Sequence, residues 1–148
     1  MQIRIVFMQK TTLVKDKEIV RSWHQIDASQ FTLGRLASQV AHLLSGKHKT
    51  TYSRHQDQGD FVVVVNVGKL KLSTPVKKAT AKTYFRYSGY SGGLKKESLE
   101  VKFKKDPEGV VRHAVQGMLD SNRLRKLKLR RLKIVEGSEH KYPVNHKS

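Results

Sequence analysis

The chain predicts an α/β fold with a largely parallel sheet. Three observations carry that expectation. Phe61-Val-Val-Val-Val65 is a continuous β-branched run, two other segments place apolar residues at helical spacing, and the elements alternate as strand, helix, buried strand, helix, strand. A strand that is apolar on both faces is a strand covered on both faces, which is how parallel sheets sit beneath their crossover helices. At 148 residues the chain fits one domain and is long enough for a real core.

Each element has its own justification. Residues 1–21 read as an irregular or loosely ordered lead-in. Residues 23–26 (Trp-His-Gln-Ile) read as a short strand ending at Asp27. Thr32 is placed to cap a helix that begins at Leu33. Leu33, Leu36, Ala37, Val40, Ala41, Leu43 and Leu44 share one broad face, and Gly46 suits the left-handed residue that ends the helix. Residues 61–65 follow the turn-like Asp57-Gln-Gly-Asp60 and form the buried strand. Short extended pieces are expected at 69–72 and 83–87. Asp106, Pro107 and Glu108 open a second helix, because an acceptor side chain, a proline and an acid all suit a first turn. Val110, Val111, Ala114, Val115, Met118 and Leu119 give it an apolar face, and Asp120-Ser-Asn122 ends it. Residues 123–133 start as a basic helical turn and pass into a strand at 132–135, closed by Glu136-Gly137. The tail beyond Gly137 is expected to be irregular.

Composition narrows the function. Thirty Lys and Arg against twelve Asp and Glu leave a formal charge of +18 and a pI near 10.3. Such an excess repels itself in a compact protein and favours a polyanionic partner. A membrane surface is disfavoured, since the chain has neither an amphipathic anchor nor a lipidation motif, and its apolar runs fall short of the roughly 20 residues of a membrane span. There are no cysteines, hence no disulfides or thiolate metal sites. The start is too short for a secretory signal, and Met8 offers a second initiator.

The basic residues are not spread evenly. From Phe61 to Lys96 there is no Asp or Glu, while Lys69, Lys71, Lys77, Lys78, Lys82, Arg86, Lys95 and Lys96 all fall in that stretch. Its end adds Tyr84, Phe85, Tyr87 and Tyr90 and the glycines Gly89, Gly92 and Gly93. Cations for phosphates, rings for bases and glycines for close approach together point to RNA, against the plainer reading of a solvated glycine-rich turn. The loop 47–55 offers Lys47, His48, Lys49, Arg54 and His55 in the same sense. Residues 123–133 hold seven basic side chains in eleven, with no acid from Ser121 to Val135, whereas a solvated helix face would interleave acids at i, i+4. Gly34 in a first helical turn costs about 1 kcal/mol relative to alanine. Either that turn packs closely on something, or its amides, with Arg35, receive a phosphate.

Catalytic and metal readings are weak. No G-x-x-x-x-G-K-[ST] loop, nucleophile elbow or dinucleotide fingerprint occurs. His42, His48 and His55 stand six or seven residues apart without a tight ligand pair. Asp57 and Asp60 flank a turn, where such side chains serve local hydrogen bonds, so Asp57→Asn is expected to leave function nearly intact. The rival from another class is an RNA-processing or RNA-modifying enzyme, which would bring Asp57, Asp60 and His55 into one pocket. A free regulator that binds RNA is a third reading.

Six segments, in order, carry a resemblance. Asp27-Ala-Ser-Gln-Phe-Thr-Leu-Gly-Arg-Leu-Ala37, Gly46-Lys-His-Lys49, Gly59-Asp-Phe-Val-Val-Val-Val-Asn66, Ser88-Gly-Tyr-Ser-Gly-Gly-Leu-Lys95, Gly117-Met-Leu119 and Arg131-Leu-Lys-Ile-Val-Glu-Gly137 resemble the ribosomal protein L13 family of bacterial and organellar type. The likeness covers residues 22–137. It leaves 1–21 as an N-terminal extension and 138–148 as a C-terminal tail. Three places depart from the family's pattern. Asp120-Ser-Asn-Arg-Leu-Arg125 replaces a Pro- and Gly-containing link, Arg86-Tyr-Ser-Gly-Tyr90 stands where relatives often have histidines, and Ser73-Thr-Pro-Val76 replaces a common turn.

The resemblance implies a three-layer α/β/α fold around a four-stranded, mainly parallel sheet. It implies a structural protein of the large ribosomal subunit, in the cytoplasm or an organelle, that binds 23S-like rRNA and supports assembly, with no catalytic activity, cofactor, metal, membrane or small-molecule substrate. Ribosomal proteins L3, L20 and L21 are the neighbours it suggests, and the protein's own mRNA is a further RNA partner. The expected rRNA-binding residues are Arg35, Lys47, His48, Lys49, Arg54, Arg86, Tyr87, Gly89, Tyr90, Gly92, Gly93, Lys95, Lys96, Arg123, Arg125, Lys126 and Arg130.

Overall fold

A computed structural model describes residues 14–72 and 82–147. The lead-in before Val14 and the Ser73-Thr-Pro-Val76 turn with Lys77 and Lys78 lie outside the described residues. The elements are β1 (Trp23–Asp27), α1 (Leu33–Ser45), β2 (Phe61–Val65), β3 (Thr83–Tyr87), β4 (Leu94–Ser98), α2 (Leu99–Lys105), α3 (Pro107–Met118), α4 (Leu124–Arg130), β5 (Leu132–Ile134) and β6 (His146–Lys147), with 3₁₀ turns at Asp16–Glu18, Ala28–Gln30 and Val67–Lys69.

The fold is mixed α/β. Its main sheet runs β5-β2-β1-β6, all neighbours parallel. Three strands form its body, and β6 adds only a two-residue edge. The expected single sheet is also incomplete as a description, because β3 and β4 make a separate antiparallel hairpin in register Thr83↔Ser98 to Tyr87↔Leu94.

The core explains the parallel sheet. Val62 and Val64 on one face of β2 meet Ile26 of β1, Leu36, Ala37, Val40 and Leu44 of α1, and Val110, Val111 and Val115 of α3. Each fully buried Val or Leu contributes about 1.5–3 kcal/mol relative to exposure. Val63 and Val65, on the other face by the two-residue period of a strand, are buried as well. At the start of that face Trp23 stacks on its register partner Phe61, centroids 4.3 Å apart, and Tyr142 stacks on Trp23 at 5.6 Å.

Both long helices have the expected bounds. Gly46 ends α1 at φ 77°, and the Asp106 side chain accepts from the Gly109 amide at 2.7 Å at the start of α3. Thr32 stands at the N-cap position of α1, but its side chain makes no cap hydrogen bond. Two expectations need correction. Residues 69–72 form no strand: a 3₁₀ turn ends at Lys69, and one parallel bridge joins Thr32 to Lys71. The tail is not irregular throughout, since Asn145 donates to the Trp23 carbonyl and β6 pairs with β1. In α4 Leu127 is exposed, while Lys128, and Arg131 just beyond, are buried. The short helix α2 was not anticipated.

Candidate nucleic-acid interface

The hairpin is built to present charge and rings. Gly89 (φ 89°) and Gly92 (φ 71°) adopt the left-handed backbone its turn needs, and a methyl group added at either would meet nothing within 4 Å. Gly93 is half-buried, its amide bonded to the Tyr90 carbonyl at 2.9 Å. The tip is therefore a thin backbone loop open to close approach. Arg86 and Lys95 stand directly opposite in the ladder, as do Phe85 and Lys96. Like charges opposite one another destabilise a strand pair. Among the described residues no carboxylate pairs with Arg86, Lys95 or Lys96, whereas Glu97 pairs with Lys105 at 2.8 Å. Phe85, Tyr87, Tyr90 and Leu94 are exposed, Tyr90 at 79%.

Beneath the hairpin lies a cleft of about 1050 Å³, lined by Arg86, Lys95, Lys96, Lys102, Lys105 and His113 among others. Tyr84 forms its inner wall, edge-on to His113, with the Lys102 ammonium 4.3 Å from its ring centroid. Burial raises the Tyr84 phenol above its ordinary value, so its ring stays neutral beside the lysines. Tyr84 was among the rings singled out in the sequence, whereas Lys102, Lys105 and His113 were missed. The signal was present: Ser98 accepts from the Val101 amide as a cap, Glu100 pairs with Lys104 at i, i+4, and Leu99 and Phe103 share a face, so a helix places Lys102 and Lys105 together.

The other expected residues separate into two groups. Arg35, Lys47, Arg54, Arg123, Lys126 and Arg130 are exposed. Arg112, Arg125, Lys126 and Arg130 line a second basic hollow of about 480 Å³ between α3 and α4. A methyl at Gly34 would meet nothing within 4 Å, so close packing does not account for that glycine; Gly34 and Arg35 line a hollow with Phe31 and Met118. Three expected residues instead have partners inside the protein. The Lys49 ammonium donates to the Val20 and Gln58 carbonyls at 2.8 and 2.9 Å and to Asp60, which uses its three protons. His48 Nε2 lies 2.8 Å from Asp60 Oδ2. Arg125 donates to the Leu119 and Asp120 carbonyls at 2.8 and 3.0 Å, which closes the end of α3.

Asp57 and Asp60 are not local turn residues. Asp57 receives both Nη groups of Arg131, and Asp60 receives Lys49, the Ser22 amide, His24 and His48. Burial works to raise the Asp60 carboxyl; the hydrogen bonds from Lys49, Ser22 and His24 outweigh it and hold it below the ordinary range. His55 is exposed and is not part of either group, so the three residues of the enzyme reading do not converge.

Residues 21–141 match the family described as Ribosomal protein L13. The chain belongs to the ribosomal protein L13 family. It is 47% identical over 133 residues to the large ribosomal subunit protein uL13 of Thermoanaerobacter sp. (strain X514), covering 90% of this chain and 92% of the relative. It is 46% identical over 137 residues to that of Oleidesulfovibrio alaskensis, with 93% and 94% covered, and 47% over 139 residues to that of Petrotoga mobilis, with 94% and 91% covered. Members of the family are structural ribosomal proteins rather than enzymes. Among the described residues no helix is long and apolar enough to cross a membrane.

Proposed function

We propose that this protein, as a structural constituent of the large ribosomal subunit, clamps large-subunit rRNA with its β3–β4 hairpin. The cross-strand pair Arg86–Lys95 carries this reading. Two cations in register, without an acid among the described residues to relieve them, gain most from phosphate oxygens, and phosphate binding releases the counterions of the RNA. The exposed rings of Tyr87 and Tyr90 add stacking surface on the same loop. Lys47, Arg54 and Arg35 supply a second group of contacts, and Arg123, Lys126 and Arg130 a third. Lys49, His48 and Arg125 support these contacts from within rather than making them. Recognition then rests on RNA shape and backbone. The burial of Val63 and Val65 on the face away from α1 favours a three-layer core as the rigid platform. Neighbours such as ribosomal proteins L3, L20 and L21, and binding to the protein's own mRNA, belong to this proposal as well.

Sedimentation of the large subunit tests it. Replacing Lys95 and Lys96 by glutamate should weaken rRNA binding and lower the slope of log K against log salt by about 1–2, since each phosphate contact contributes about 0.7–0.9. An unchanged slope would remove the hairpin from the interface. A wild-type protein that stays off the large subunit at moderate salt would sink the proposal as a whole.

A further inference from the structure

The knot around Asp60 has a second capacity that rRNA binding does not use. We propose that His24, His48 and Asp60 form a site for a divalent transition metal of the Zn²⁺ type. Their three ligand atoms, His24 Nε2, His48 Nε2 and Asp60 Oδ2, lie within 4.8 Å of one another. The two nitrogens are 3.0 and 2.8 Å from the carboxylate oxygen. Zinc bonds of about 2.0–2.1 Å at tetrahedral angles need donors about 3.3 Å apart, so two of the three separations are within a few tenths of an ångström of what the ion requires. Two imidazoles and a carboxylate are the donor set that suits zinc and its neighbours rather than calcium or magnesium.

The surroundings are those of a built site. Asp60 is 1% exposed, His24 15% and His48 27%, so the ligands are held in place while one side remains open to water as a fourth ligand. Asp60 Oδ1 is bonded by the Ser22 amide and the Lys49 ammonium, which fixes the carboxylate and leaves Oδ2 as a single donor. Each ring must place its proton on Nδ1 to free Nε2 for the ion. The Lys49 charge works against the metal, and this makes Lys49 a useful handle. The site joins β1, the loop after α1 and the start of β2. The histidines weighed from the sequence were His42, His48 and His55; folding selects His48 but pairs it with His24, twenty-four residues earlier.

The test uses the full chain free of RNA, so its outcome is independent of the rRNA reading. Co²⁺ is titrated as the spectroscopic probe, followed by competition with Zn²⁺. One Co²⁺ per chain is expected, with visible d–d absorption displaced by Zn²⁺ and a melting temperature raised by Zn²⁺. His48→Gln keeps a donor for Asp60 and so preserves the fold, which melting without metal verifies. It should weaken Co²⁺ binding by more than about tenfold, as should His24→Gln, while His140→Gln changes nothing. Lys49→Met should tighten binding. Absent stoichiometric Co²⁺ binding, or binding equal in wild type and His48→Gln, would overturn the proposal.

Discussion

Arg131 directs both Nη groups onto the two carboxylate oxygens of Asp57, seventy-four residues earlier in the chain, and its Nη2 also faces the Leu44 carbonyl at the end of α1. Both side chains are nearly buried, at 8% and 13% exposure. The loop between α1 and β2 is thereby pinned to the turn between α4 and β5. Asp57→Asn leaves a buried guanidinium facing an amide and should cost about 3 kcal/mol of stability. Arg131→Lys should lose a similar amount, because an ammonium cannot fork. Denaturant midpoints measure both, and a loss below about 1 kcal/mol would show the pair to be solvated. The expectation that Asp57→Asn is harmless therefore changes: its effect on assembly should follow the loss of folded protein.

Two glycines should behave oppositely. A Cβ at Gly59 would stand 1.8 Å from the Leu44 carbonyl oxygen, where neither backbone can yield. Gly59→Ala should cost more than about 3 kcal/mol, above the usual range for overpacking. Gly34→Ala meets open space in a first helical turn and should stabilise the protein by up to about 1 kcal/mol. If the α1 amides and Arg35 hold a phosphate, the same change weakens rRNA binding while raising the melting temperature. A more stable variant with unchanged binding would free the start of α1 from the interface.

What the sequence could show followed local rules. The bounds of α1 and α3 were legible because apolar spacing, Gly46 and the Asp106-Pro107 opening are short-range signals. β2 was legible because five consecutive β-branched or aromatic residues admit few alternatives. The roles of Lys49, Arg125, Asp57 and Asp60 were not. A lysine in a basic loop is the same residue whether it meets phosphate or the Val20 carbonyl, and only the fold brings residues 20, 49 and 60 together. β4 and α2 were hidden for another reason. The charges of residues 95–105 mask both the two-residue alternation and the Leu99–Phe103 face, because hairpin and helix are each exposed on one side.

Asp27 sets an acid limit on stability. Its carboxylate accepts from the Ser29 amide at 3.0 Å and from Asn66 Nδ2 at 3.2 Å, joining the ends of β1 and β2. The Ser29 backbone hydrogen bond, opposed by burial, is the main cause that holds its pKa below the ordinary aspartate value of 3.8. A depressed folded pKa contributes stability that is fully present well above 3.8 and is lost as pH falls through the folded value. Asp27→Asn should therefore be less stable than wild type at pH 7, with the gap closing below about pH 4. Denaturant midpoints from pH 7 to pH 3 decide it, and a gap that does not narrow with acid would assign the effect to packing.

The exposed rings allow stacking to be separated from charge. Tyr87 and Tyr90 are 64% and 79% exposed on a loop whose neighbours are cations, and no core contact accounts for so much apolar surface in water. If bases stack on them, Tyr87→Ala and Tyr90→Ala should each weaken rRNA binding by about 1–3 kcal/mol, while the phenylalanine variants bind normally. The salt slope should stay as in wild type, since no phosphate contact is removed. Lys95→Glu gives the reverse pattern, a changed slope with the rings intact. Binding constants over a salt series for the five variants separate the two contributions. Alanine variants that lower the slope along with the affinity would mean that the rings only hold Arg86 and Lys95 in place.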